Sequence, residues 1–262
     1  MAFNGQTRLL ELRAQVEQAY ETGNWRNLPI EDNGEPLVLV PPHLCYPWYA
    51  LEMRLTNDTR TFLRRTVYGL FLIARLSLNA MGFDLKVYDG WRSVELQENL
   101  FWYYLKRFTA SRFNLQEQFQ NCYSGAQIKR QFLSLPEAKQ EELKKANTLY
   151  VSWPSTDPKS PSPHATGGSI DVWLYRNDKP ANLGVPFDWM DEEAGAFYHL
   201  REERKSFGAE DMLVCYNREI LLTAMVAAGF SCYPYEFWHF NYGNQMDSLV
   251  TGRQAFYSYI EP

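Results

Sequence analysis

The chain has no excess of basic residues. Its 26 Lys and Arg are outnumbered by 31 Asp and Glu, leaving a formal net charge of −5. The electrostatic footprint of a protein that tracks a phosphate backbone is therefore missing, and nucleic acid is not an expected partner. Long apolar runs are missing too. The stretch from Tyr68 to Ala80 is broken by Arg75 and is too short to span a bilayer. The N-terminus, MAFNGQTRLLELRAQVEQAY, lacks the apolar core of about 7–15 residues that a secretory signal requires. Only four cysteines occur, Cys45, Cys122, Cys215 and Cys232, and no two form a C-x-x-C pair, so neither a zinc ribbon nor a thioredoxin-like motif is legible. Four reduced thiols in a cytoplasmic protein that does not enter a membrane is the expected setting. Histidine is equally scarce, at His43, His164, His199 and His239.

What is present suffices for a well-packed core. The chain has 262 residues, of which 45% are hydrophobic and 16% aromatic. Apolar steps of three and four predict a helix over 6–22, followed by a connection over 24–47 rich in Pro, Gly and Asn. A second helix is expected after the N-cap candidates Asn57, Asp58 and Thr59, with Phe62, Leu63, Val67, Leu70, Phe71, Ala74 and Leu78 on one face and Gly82 just beyond its end. DLKVYDG, 84–90, reads as a strand and turn, and Ser93 as the cap of the next helix. Residues 109–160 carry little pattern apart from a helical stretch after Pro136. SIDVWLY, 169–175, reads as a strand, 216–228 as a helix stopped by Gly229, and EFWHFNY, 236–242, as a last strand. Helices early and strands flanking the late motifs predict an α+β fold with a mainly antiparallel central sheet flanked by helices.

His164 stands in S-P-H-A-T-G-G-S-I-D, seven residues before Asp171. Gly167 and Gly168 let the backbone fold sharply between them, so a loop histidine and a strand aspartate can face one ion. Imidazole and carboxylate are ordinary zinc ligands, and catalytic zinc uses three protein ligands with one position left for water. His239 is the best third ligand because Glu236 lies three residues before it, as a base for metal-activated water requires. Residues three apart on a regular strand face opposite ways, so a turn or bulge is expected near Glu236.

H-x-x-G-x-x-x-D followed far downstream by E-x-W-H resembles the D-alanyl-D-alanine dipeptidase family of zinc peptidases. Further segments agree in order: D-G-W-R at 89–92, G-V-P-F-D-W-M at 184–190, and N-R-E-I-L from Asn217 followed by A-G-F at 228–230. The resemblance implies a single catalytic domain over 1–262 with the hedgehog/D-Ala-D-Ala peptidase-like fold, an N-terminal helical extension (about 1–47) and an insertion within 109–160. It implies one zinc ion per chain on His164, Asp171 and His239, with Glu236 as general base. Arg92 would stabilise the charge of the tetrahedral intermediate, Asp188 would pair with the substrate ammonium, and Ser162 would lie near the substrate carboxylate. The implied substrate is a small dipeptide, D-alanyl-D-alanine, a unit of peptidoglycan chemistry. A carboxypeptidase acting on peptidoglycan stem peptides and a non-catalytic zinc-binding homologue are the alternatives. The sequence departs from the family where Trp91, Ser93 and Phe237 replace a tyrosine, a proline and a tryptophan. A family tyrosine that helps hold the ammonium group has no match around Arg54–Thr59.

Overall fold

The computed structural model describes residues 2–200 and 208–262. Helix α1 (Ala2–Thr22) leads through a connection to a small antiparallel pair, β1 (Leu37–Leu39) with β2 (Phe62–Arg64), and between these strands lies the short helix α2 (Trp48–Leu51). Helix α3 (Arg65–Asn79) and strand β3 (Asp84–Asp89) follow, then α4 (Val94–Tyr104), whose N-terminus is capped by Ser93 as the sequence suggests. The main sheet is antiparallel, in the order β3, β4 (Ser169–Arg176), β7 (Glu236–Asn241), β6 (Ser231–Tyr233), and β5 (Lys179–Pro180) folds back on β4. Helix α9 (Ala209–Ala228) packs along α3, and α10 (Gln245–Thr251) packs against α1 and β6. This is the expected α+β fold with a mainly antiparallel sheet.

One hydrophobic core runs from Leu9 to Tyr257. On β4, Ile170, Val172 and Leu174 alternate with Asp171, Trp173 and Tyr175, and all six are buried. Trp173, on the second of these faces, joins a group of packed aromatic rings. Tyr88 stacks between Trp48 and Trp173, and Phe187 packs against all three as well as Trp238. These rings form a stiff wall beside Asp171 and Asp188.

The second helix begins later than the sequence suggests. Asp58 does not cap it; its carboxylate accepts from the Arg60 backbone N–H and pairs with the Arg60 guanidinium, closing a turn. Phe62 and Leu63 are then taken by pairing with β1, and α3 starts at Arg65. Residues 109–160 fold as α5 (Ala110–Arg112), α6 (Gln116–Phe119), α7 (Gly125–Leu133) and α8 (Glu137–Asn147), the last being the helix expected after Pro136. Phe119, Ile128, Phe132 and Leu143 bury this segment against the rest of the core. Among the described residues, no helix is long and apolar enough to cross a membrane.

The turn that carries His164 is held from two sides. A 3-10 turn spans Pro163–Thr166, and Gly167 ends it at φ +68°. A Cβ at Gly167 would lie 2.4 Å from Leu37 Cδ2 and 3.3 Å from the Arg64 nitrogen. Arg64, itself buried, donates from Nε to the Thr166 carbonyl at 2.8 Å and from its backbone N–H to the Gly167 carbonyl at 3.0 Å. Gly167→Ala therefore combines a left-handed backbone with a clash, and should lower stability in urea unfolding by ~1–3 kcal/mol. A loss below about 0.5 kcal/mol would show that this turn tolerates a side chain.

Candidate metal and catalytic site

Three neighbouring strands place three side chains in one row. Asp89 of β3 is opposite Asp171 of β4, and Asp171 is opposite His239 of β7. Directly opposed residues in an antiparallel sheet project to the same face, so the pairing, with an irregularity between Val87 and Asp89 that brings Asp89 into the row, gathers two carboxylates and an imidazole. His164 swings in from the turn before β4. Its Nε2 lies 3.2 Å from His239 Nδ1 and 3.4 Å from Asp171 Oδ2, while His239 Nδ1 lies 2.9 Å from Asp171 Oδ1. His164, Asp171 and His239, all buried, thus bring one donor atom each within 4.8 Å of one another.

The chemistry of this set fits a divalent metal. His164 turns Nδ1 to the Gly90 carbonyl at 2.7 Å, an atom that can only accept, so the proton sits there and the Nε2 lone pair faces the cluster. Burial alone would raise the Asp171 carboxyl, but His164 and His239 hold it well below the usual carboxylate range, as an anionic ligand. Burial also pushes His239 below the ordinary imidazole value, favouring the neutral ring that coordination needs. His43 and His199 are not part of the cluster.

Glu236 arrives through the irregularity that its spacing from His239 demanded. Pro234 and Tyr235 form a two-residue turn between β6 and β7. The ladder is regular at Cys232↔Phe240 and then jumps to Tyr233↔Glu236. The extra residues of β7 bulge, and the Glu236 Oε2 comes to 3.9 Å from His239 Nδ1. Burial pushes the Glu236 carboxyl well up, and the charges on Asp171 and Asp188 push the same way. A cation at the cluster would oppose that shift.

Arg92 borders the cluster on the Asp171 side, with NH2 3.8 Å from Asp171 Oδ2. Burial would lower a guanidinium, but Asp89, Tyr49, Asp171 and Asp188 together outweigh it, and the net effect raises the Arg92 pKa. Asp89 receives Arg92 Nε at 2.9 Å, and Gln97 Oε1 receives NH1 at 2.7 Å. The Gln97 amide then donates to the Ser152 carbonyl at 2.6 Å, tying the arginine to the chain that roofs the site.

Asp188 lines the same cavity from a loop pinned by Arg218, whose guanidinium donates to the carbonyls of Leu183 and Glu193. Asp188 adopts φ +61°, a left-handed backbone that Asp tolerates better than most residues. Its two carboxylate oxygens accept from Tyr49 OH at 3.1 Å and Tyr104 OH at 2.8 Å. Desolvation nevertheless raises its pKa to about 7. Ser162 is placed differently. Its hydroxyl donates to the Trp153 carbonyl and accepts from the Ser155 N–H, both at 2.9 Å, and it does not line the cavity.

Tyr49, Tyr104, Asp89 and Gln97 are site residues that the sequence did not single out. Tyr49 lies on α2, within a proline-rich stretch whose helix has no periodic signal, and Tyr104 is one aromatic among several at the end of α4, just before a π-helical turn over Leu105–Thr109. Asp89 was visible only as the first letter of D-G-W-R. A glutamine that is 1% exposed in a helix gives no sign of its burial in the sequence.

The cavity is small, about 50 Å³. Trp25 and the segment 148–152 close it opposite the sheet. Tyr233 OH holds the Leu149 carbonyl at 2.5 Å, and Arg26 NH2 holds Ser152 Oγ at 2.6 Å, so both the N-terminal region and the 109–160 segment contribute to the roof.

A carboxylate and a guanidinium beside three side chains that could hold a metal ion form an arrangement able to serve metal-assisted hydrolysis. Residues 104–259 match the M15 peptidase family, described as D-ala-D-ala dipeptidase, and the chain belongs to that family. It is 26% identical over 234 residues to a D-alanyl-D-alanine dipeptidase of Synechocystis sp., covering 84% of this chain and 86% of that protein. It is 34% identical over 83 residues to a D-alanyl-D-alanine dipeptidase of Enterococcus faecalis, covering 31% of this chain and 37% of that protein.

Metal titration followed by elemental analysis should give one divalent ion per chain, and His164→Ala combined with His239→Ala should abolish it. An unchanged stoichiometry in the double variant would place the ion elsewhere.

Proposed function

We propose that this protein is a zinc-dependent dipeptidase that hydrolyses D-alanyl-D-alanine to two D-alanines. The observation that carries the reading is the convergence of Glu236, Arg92 and Asp188 on one small roofed cavity with the His164–Asp171–His239 cluster. Two imidazoles and one carboxylate, with room left for solvent and substrate, suit catalytic zinc. A zinc ion bound there supplies Lewis acidity, lowering the pKa of a water and polarising the scissile carbonyl.

The chain's own groups then divide the work. Glu236 takes the proton of the attacking water and returns it to the leaving amine. Arg92, held by Asp89 and Gln97, directs a fixed charge to the oxygen on which negative charge develops. Asp188 receives the substrate ammonium, with Tyr49 and Tyr104 fixing its carboxylate. The hydroxyl of Ser162 is spent on backbone partners, so its contribution toward the substrate carboxylate is to fix the course of Trp153–Ser155. A roof over so small a cavity favours a free dipeptide over a stem peptide ending in D-alanine. A purely structural zinc site would call for a fourth protein ligand rather than an adjacent base and arginine. Both named relatives are D-alanyl-D-alanine dipeptidases, which supports the same substrate.

Glu236→Gln should lower kcat on D-alanyl-D-alanine by about 10²–10⁴-fold while zinc stays bound. Unchanged turnover would remove Glu236 as the base. A panel of L,L-, L,D- and D,D-dipeptides, with a chelated control and a longer D-Ala-terminated peptide, tests the specificity; preference for the longer peptide would overturn it.

The pH dependence follows from Asp188. Ammonium binding needs its ionised form, which is lost as pH falls through about 7, so kcat/KM should drop on the acid side there. The Tyr104 hydroxyl stabilises the ionised form, so Tyr104→Phe should move this limb to higher pH. A limb that stays in place would mean that another group controls it.

A further inference from the structure

An imidazole ligates a metal only if its lone pair faces the ion and its proton sits on the far nitrogen. For His164 the Gly90 carbonyl settles this directly. For His239 the far nitrogen, Nε2, lies 3.1 Å from Asn241 Oδ1, two residues along the same strand. An amide can turn either oxygen or NH2 toward its neighbour, so that contact by itself leaves the proton undetermined.

The next links decide it. Asn244 is the N-cap of α10, and its Oδ1 accepts from the Asp247 backbone N–H at 3.0 Å. A backbone N–H can only donate, so the Asn244 oxygen is fixed there and its NH2 must point the other way. That NH2 lies 3.0 Å from the same atom of Asn241 and 2.9 Å from Ser169 Oγ. Asn241 must therefore answer with oxygen. Ser169 Oγ, 2.7 Å away, donates to that oxygen as well. His239 Nε2 thus faces an acceptor, and Nδ1 faces the Asp171 carboxylate at 2.9 Å; once a cation at the cluster takes the Nδ1 lone pair, the proton stays on Nε2, held by Asn241. The network is closed to solvent, with Ser169 and Asn241 at 0% exposure and Asn244 at 1%. The turn itself is anchored by Asp247, which accepts from the Gly243 N–H and from Arg253.

We infer that Asn241, oriented by Asn244 and Ser169, is a positioning residue that sets the ring tautomer of His239 for metal binding. A helix N-terminus thus fixes, through two amides, where the lone pair of a ligand points. The inference rests on the reading of the cluster as a metal site, but not on the identity of the dipeptide.

The direct test is a long-range 1H–15N spectrum of the histidine rings in the zinc-loaded wild-type protein. The expected result is opposite tautomers, with His239 protonated on Nε2 and His164 on Nδ1. His239 protonated on Nδ1 would overturn the assignment. In parallel, zinc affinity is measured by competition with a chromophoric chelator. Asn241→Leu should weaken it about 10–100-fold, whereas Asn241→Asp, which keeps an acceptor, should restore most of it. Equal affinity in wild type and Asn241→Leu would also overturn the assignment. The wild-type spectrum needs no variant, so a leucine variant that fails to fold leaves the test intact. Neither readout depends on turnover: opposite tautomers in a protein that cleaves no dipeptide would sustain this inference and remove the proposed activity.

Discussion

The register of three antiparallel strands is the constraint on which the site depends. Asp171 on β4 is opposed on one side by Asp89 of β3 and on the other by His239 of β7. A slip of one residue in either pairing would turn a whole strand's side chains to the wrong face. The remaining groups come from the ends of those same strands. His164 precedes β4, Arg92 follows β3, and Glu236 opens β7. Arg92 is held within the site by Asp89 and Gln97, whereas Arg64 holds the turn after His164, Arg218 holds the Asp188 loop, and the bulge in β7 re-aims Glu236. The sheet thus sets Asp171 and His239 of the candidate metal cluster, and the segments at the ends of its strands supply the other groups of the cavity.

Electrostatics divides the carboxylates by task. Asp171, beside two imidazoles, is held ionised and suits a ligand. Glu236 and Asp188 are both pushed upward by burial, and Asp188 reaches about 7, where it can bind a cation reversibly. Arg92, beside Asp89 and Asp171, is a cation set against this concentration of acid, and a divalent metal would add to the balance. The same low-dielectric cavity that makes these shifts large also strengthens every contact to a developing charge.

The sequence made the metal cluster, Glu236 and the α+β sheet legible because they reside in short, chemically distinctive segments with strand alternation around them. The helix of PEAKQEELKKA and the cap at Ser93 were legible from local chemistry. The start of α3 was not, because Phe62 and Leu63 fit a helical face as well as a strand, and only the distant β1 decides between them. Tyr49 and Tyr104 were hidden for a similar reason: they are separated from Asp188 by 139 and 84 residues, and nothing local marks their hydroxyls as its partners. The roof over the cavity was hidden in the segment with the weakest periodicity. Ser162 shows the converse, since its place in the motif says nothing of the backbone groups that occupy its hydroxyl.

The X-ray absorption spectrum of the zinc-loaded protein tests the central claim most directly. The account predicts a single nitrogen and oxygen shell at about 2.0–2.1 Å with the outer-shell scattering of two imidazoles, and the remaining positions filled by carboxylate and solvent oxygen. A sulfur shell near 2.3 Å, or scattering from a third imidazole, would contradict it.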